Sequence, residues 1–146
     1  MIAAVRIRGR VGVPKDIKDT LYLLRLRKKF SCSLYPEDKI YVGMLEKVRA
    51  YVAYGKINEE TLRNLIEKRG RKKGNKKVDK EEAEKIVEEL KKGKKLKDLE
   101  KEFGIKPFFR LCPPKHGFKK NIKLLWPQGI LGNIGDEINS LISRML

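Results

Sequence analysis

The sequence is poor in the residues from which disulfides, metal sites and most catalytic centres are built. Among 146 residues there are two cysteines, one histidine and one tryptophan. Cys32 and Cys112 stand far apart and neither belongs to a Cys-x-x-Cys pair, so neither a disulfide framework nor a four-ligand zinc site is expected. Both read as buried or half-buried small apolar side chains. His116 has no cysteine or carboxylate at ligand or triad spacing around it, and the glycines at 129, 132 and 135 do not have the spacing of a dinucleotide fingerprint. Nothing assembles an acid, a base and a nucleophile, so no enzyme and no cofactor are expected. No apolar run reaches 18 residues, and the start, Met1-Ile2-Ala3-Ala4-Val5-Arg6, lacks the apolar length of a signal peptide. The expectation is a soluble, cytoplasmic chain without a membrane contact.

Acidic residues are also scarce relative to basic ones. Asp and Glu number 19 against 36 Lys and Arg, a formal charge of +17 and a pI near 9.9. Self-repulsion on this scale has a compensating partner, and a polyanion is the usual one, because each phosphate contact releases condensed counterions. Hydrophobic residues make up 40% of the chain and are spread along it, enough for a folded core.

The charge is distributed in three blocks. Residues 1–57 carry thirteen bases and five acids, residues 58–106 seventeen and twelve, and residues 107–146 six and two. The middle block holds most of the acids and a single aromatic, Phe103, and reads as a helical accessory segment between a core (1–57) and a C-terminal extension (107–146) that packs on it.

Within the first block, Ala3, Val5 and Ile7 alternate with Ala4, Arg6 and Arg8, the period of a strand buried on one face, with both arginines on the other. Gly9 to Val13 is a loop, and Pro14 opens a helix expected to run to Lys29. On it Ile17, Leu21 and Leu24 form an apolar stripe, while Lys18, Tyr22, Arg25 and Lys29 line up on an adjacent face. Phe30 to Leu34 reads as a second strand. A second helix opens near Gly43, with Met44, Leu45, Val48, Tyr51 and Val52 on one face, and 53–57 forms a third strand. A single layer of helices over a small sheet would bury all of these stripes.

The middle block reads as three helices: one capped by Asn58, one opened by an Asp79/Glu82 capping box, and one from Lys95 to Phe103 stopped by Gly104. The basic run 68–77 separates the first two. Phe108 to Leu111 suggests a short strand, 113–120 a basic and aromatic loop, 129–135 a glycine-punctuated loop, and a closing helix starts at Asp136.

Two short patterns point to nucleic acid in different ways. Gly9-Arg10-Val11-Gly12 matches a GxxG loop, but it follows a strand rather than joining two helices. Leu96 to Ile105 resembles the first helix and turn of a helix-turn-helix, the basis of a rival reading as a DNA-binding regulator using the central helices. That motif requires a second helix at once, and Pro107 and the Pro113-Pro114 pair bracket the next segment.

Longer stretches carry a more specific likeness. Ala4-Val5-Arg6-Ile7-Arg8-Gly9, Val13 with Asp16-Ile17, Asp19-Thr20-Leu21 and Leu24-Arg25-Leu26, followed by Gly43-Met44-Leu45-x-Lys47-Val48 and Tyr51-Val52-x-Tyr54-Gly55, resemble the large-subunit ribosomal protein thirty family, whose eukaryotic counterpart is protein seven. Phe109-Arg110-Leu111 to Pro114 and Leu131 to Asn139 resemble the tail of its archaeal form, with Cys112 where a histidine is expected. The resemblance implies an α+β fold with a strand-helix-strand-helix-strand core, somewhat ferredoxin-like, both core helices on one sheet face, then a helical insertion and a C-terminal loop-plus-helix extension. It implies a structural constituent of the large (50S) ribosomal subunit, bound to 23S rRNA and near 5S rRNA, beside other ribosomal proteins, a monomer within the ribosome and without a catalytic residue.

Basic side chains are the expected RNA contacts, mainly to phosphates. The candidates are Arg6 and Arg8 on the first strand, Arg10 in the loop, and Lys15, Lys18, Tyr22, Arg25, Lys28 and Lys29 on and after the first helix. Lys39, Tyr41 and Gly43 before the second helix, Lys47 on it, and Lys115, His116, Lys119 and Lys120 in the late loop complete the set.

Overall fold

The computed structural model describes residues 1–146. The chain runs β1 (Ile2–Arg6), α1 (Lys15–Leu23), β2 (Ser31–Tyr35), α2 (Lys39–Lys47), β3 (Val52–Lys56), α3 (Glu59–Arg69), α4 (Lys80–Lys91), α5 (Leu96–Phe103), β4 (Phe109–Arg110), β5 (Asn121–Leu125), β6 (Gly129–Asn133) and α6 (Glu137–Met145). All six strands join one sheet in the order β4-β2-β1-β3-β6-β5. β1 lies antiparallel to both β2 and β3, β2 is antiparallel to β4, and β3 is parallel to β6. This is an α+β fold whose first five elements form the strand-helix-strand-helix-strand core, and no helix is long and apolar enough to cross a membrane.

The period of two in β1 separates two cores. Ile2 and Ala4 face one side, where they meet Leu21, Leu24 and Leu26 from α1 and its exit, and Leu45 and Val48 from α2. Ala3, Val5 and Ile7 face the other, where Cys32, Leu34 and Ala53 join the apolar faces of α3, α4, α5 and α6. Helices therefore cover both faces of the sheet, not one as the first block alone suggests. The second layer comes from residues more than fifty positions downstream, and its apolar stripes find no other surface to bury. With 25 cal/mol per Å² of buried apolar area as a rough guide, leaving that face open would forfeit several kcal/mol.

Local signals set most of the boundaries. Asn58 caps α3 by accepting from the Thr61 N–H at 2.8 Å, and Gly104 ends α5 in the left-handed region at φ 71°. Asp79 precedes α4 without a side-chain cap bond, and Glu82 pairs with Lys72 at 2.5 Å. The glycine-punctuated segment at 129–135, expected as a loop, is largely a strand, β6, and β5 before it forms in a stretch for which no element was expected. After α5 the chain pairs Ile105 with Lys72 and enters β4, so no recognition helix follows. Cys32 is buried as expected, which pushes its thiol pKa up, whereas Cys112 is exposed, contrary to the expectation for it.

Two glycines make opposite predictions. A Cβ on Gly55 in β3 would stand 2.0 Å from the Gly135 carbonyl oxygen, at the close approach that seats α6 against the sheet. Gly43 lies inside α2 with open space around it. Gly55→Ala should destabilise by about 2 kcal/mol or more through overpacking against backbone. Gly43→Ala should stabilise by about 1 kcal/mol through helix propensity. Urea unfolding of both variants checks the signs, and a Gly55→Ala protein as stable as the parent would contradict the packing described.

Candidate nucleic-acid interface

The helical stripe expected from Lys18 to Lys29 does not form, because α1 ends at Leu23. Leu24 and Leu26 are both fully buried, two residues apart, a spacing that a helix would place on opposite sides. The chain instead turns, with Arg25 and Phe30 in the left-handed region at φ 64° and 65°. Such conformations persist in non-glycine residues where the surroundings over-determine them. Here the surroundings include Arg6.

Arg6 is 2% exposed. Its guanidinium donates to the carbonyls of Leu26 at 2.8 Å, Arg27 at 3.1 Å, Arg8 at 3.0 Å and Gly9 at 3.2 Å. Its own carbonyl accepts from the Phe30 N–H at 2.8 Å. A planar fork of five donors suits this task, and most of it is spent on backbone. Burial, and after it the nearby charge of Arg10, lower the Arg6 pKa from the usual arginine value. The expectation that Arg6 presents its donors to RNA is corrected: it is a post that ties the 8–10 loop to the 24–30 turn.

Side chains of those two loops, of α1 and of the segments 69–75 and 106–110 line three neighbouring hollows that share walls. Arg6 forms the back of the first, of about 310 Å³, with Arg10, Lys18, Asp19, Tyr22 and Arg27 around it. Arg27 also borders the second, of about 180 Å³, with Arg25, Lys28, Ser31, Phe108 and Arg110. Phe108 and Arg110 in turn border the third, of about 160 Å³, with Arg69, Arg71, Asn75 and Lys106. The single acid along the path is Asp19, in the first hollow.

None of the cations along the path is ion-paired. The nine ion pairs lie elsewhere, and six of them fall between residues 59 and 102, where Glu59, Glu82, Glu89 and Glu102 pair with Arg63, Lys72, Lys91, Lys92 and Lys94. These pairs engage four acids of the middle block with their own neighbours, and the arginines of the path have no acid within ion-pair distance. A row of cations in this state is stabilised by an anion with a matching row of charges.

The remaining candidates fall into separate places. Arg8 is exposed and lies 5.2 Å from the Tyr51 ring, and Lys29 4.9 Å from the Phe30 ring. Tyr22 is exposed beneath the Arg27 guanidinium at 3.9 Å. Lys15 and Lys39 are exposed first residues of α1 and α2, Lys47 is the exposed last residue of α2, and Tyr41 stacks on Tyr35 at 5.3 Å. Gly43 is in mid-helix and not at a helix start, because Asp38 caps α2 four residues earlier than expected. Lys115, His116, Lys119 and Lys120 sit on the late loop, which is anchored by Phe118 stacking on Phe30 at 6.3 Å and by Lys120 3.7 Å from the Trp126 ring. None of these four borders the path.

The path also includes Arg27, Arg69, Arg71, Lys106, Phe108 and Arg110, which the sequence did not single out. The signal available for them was chemical: arginine, with a planar fork suited to phosphate, is concentrated at these positions, whereas lysine fills the paired helices.

Comparison with known proteins places this architecture. The family described as "Ribosomal protein L30p/L7e" matches residues 2–52. "Large ribosomal subunit protein uL30" of Archaeoglobus fulgidus is 46% identical over 99% of this chain and 99% of its own length. The proteins of the same name from Nanoarchaeum equitans and Aeropyrum pernix are 44% and 42% identical, each over 100% of this chain and 99% of theirs. Identity at that level, along the core, the helical segment and the tail alike, means that the chain belongs to the ribosomal protein L30p/L7e family.

Proposed function

We propose that this protein is a structural, non-enzymatic constituent of the large ribosomal subunit that binds 23S rRNA, in the vicinity of 5S rRNA, through the path from Arg10 to Lys106. The observation that carries the reading is the row of unpaired arginines and lysines along the three neighbouring hollows. Family membership supports the ribosomal role. Folded RNA is recognised largely by the shape of its backbone, and cations held at fixed spacing suit that mode. The basic residues outside the path, Arg8, Lys15, Lys29, Lys39, Lys47 and the 115–120 loop, are assigned a peripheral role in the same contact.

The test is sedimentation of native extract through sucrose gradients at moderate and high salt. The protein is expected to travel with the large subunit and to be shed as salt rises, since each phosphate contact adds about 0.7 to 0.9 to the slope of log affinity against log salt. A protein that stays at the top of both gradients would remove the ribosomal reading.

A further inference from the structure

We propose that the third hollow receives a single unpaired nucleotide, its base stacked on Phe108 and its flanking phosphates held by Arg71, Lys106 and Arg110. This rests on the RNA-binding reading above and names what one part of that surface recognises.

The hollow is built before any ligand arrives. Phe108 follows the buried Pro107 and precedes Phe109, which is fully buried, so its backbone is fixed while its ring stays half-exposed. The Lys106 N–H donates to the Arg71 carbonyl at 2.8 Å, which locks the two walls together. The cations are aimed by neutral acceptors. Arg71 donates to the Gly70 carbonyl at 3.0 Å and the Lys68 carbonyl at 3.3 Å, Lys106 Nζ to Asn75 Oδ1 at 2.6 Å, and Arg69 to Cys112 Sγ at 3.1 Å. None of these contacts neutralises a charge, so Arg69, Arg71 and Lys106 converge with their orientation set and their counter-charge missing, and Arg110 adds a fourth cation to the wall.

A phosphate alone would not account for Phe108. Two other aromatics at the surface are closely covered by a cation: Arg27 sits 3.9 Å from the Tyr22 centroid and Lys120 3.7 Å from that of the half-exposed Trp126. Arg110 is 5.9 Å from the Phe108 centroid, at the outer limit of a cation–π contact. The ring is therefore available for stacking. An apolar ring face amid cations, with an amide NH₂ from Asn75 at the rim, matches an extruded base with its phosphates. A duplex backbone would place no base there.

The experiment compares two RNA probes of equal length, an oligouridine and the same backbone without bases, binding to the full-length protein. Stacking of one base is worth about fivefold or more in affinity, so the parent should prefer the base-bearing probe by at least that factor. Phe108→Leu should lose the preference and keep the salt slope, and Phe108→Tyr should retain both. Arg71→Gln should keep the preference and lower the slope by about 0.7. Equal affinity of the parent for the two probes overturns the inference, as does a Phe108→Leu protein with the preference intact. Binding of the same proteins to large-subunit rRNA separates the two levels: rRNA bound without base preference defeats the nucleotide site alone, and no rRNA binding defeats the reading beneath it.

Discussion

Replacing Arg6 with Met should cost about 3 kcal/mol of stability, because hydrogen bonds from a charged donor contribute roughly 1.5–3 kcal/mol each and buried acceptors are left open. For a domain of this size that lowers the melting temperature by about 6–12 °C. The Leu26 carbonyl, buried where the guanidinium meets it at 2.8 Å, has no other donor at hand. The larger consequence is for binding. Arg25 and Phe30 hold left-handed backbone only while the turn is pinned, and Arg6 pins it at Leu26 and Arg27. Without that post Arg10, Arg25, Arg27 and Lys28 lose their common setting. The salt slope should then fall by clearly more than the roughly 0.7–0.9 that one lost phosphate contact explains. Arg6→Lys provides the control for charge: it keeps the cation, lacks the fork, and should resemble Arg6→Met. Thermal unfolding and salt-dependent binding well below the melting temperature decide the matter. A stable Arg6→Met protein whose slope drops by a single contact would return Arg6 to the ordinary phosphate binders.

The same residue shows what could be read from the sequence and what could not. The alternation around Arg6 predicted a strand, and a strand is there. Its Arg6 face looked solvent-facing, but α1 and α2 pack there against Ile2 and Ala4, while the helices α3 to α6 cover the Ala3-Val5-Ile7 face. Which helices cover which face of a sheet is a non-local fact, because the layer on the second face comes from residues far downstream. The end of α1 was legible after all, since Leu24-Arg25-Leu26 changes the apolar period from helix-like to alternating. The Pro14 start and the downstream Arg25 and Lys29 made a longer helix look continuous. The last strand was obscured by its glycines: Gly129 takes part in β6 where a side chain would meet the Leu124 carbonyl at 2.0 Å, so the glycine marks close packing and not only a turn.

The candidate surface was legible in kind and misplaced in detail for a related reason. Counting charges identifies a polyanion binder, but it weighs every lysine equally. Only the fold shows that Lys72, Lys91, Lys92 and Lys94 are matched by Glu82, Glu59, Glu89 and Glu102, while Arg27, Arg71 and Arg110 are matched by nothing. The net charge of +17 therefore counts the ion-paired lysines of α4 and its flanks together with the unpaired cations of the path.

That distinction yields the second large effect. Changing Arg27, Lys28 and Arg110 together to Gln removes three exposed cations from the central hollow, none of which makes an ion pair or a side-chain hydrogen bond. Stability should change little. The slope of log affinity against log salt for large-subunit rRNA should fall by about 2 to 3, three contacts at roughly 0.7–0.9 each. Because the parent gains more from dilution of salt, the ratio of parent to variant affinity should be about 25-fold greater at 50 mM than at 200 mM. The matched control changes Lys80, Lys85 and Lys101 to Gln, lowering the net charge by the same three units on α4 and α5, away from the path. If affinity answers to net charge alone, the two triple variants lose the same slope and the path has no special standing. If the cations act where the fold sets them without counter-charge, the control stays within a few tenths of the parent slope and the central triple does not, since screening confines each exposed charge to about 8–10 Å at physiological salt.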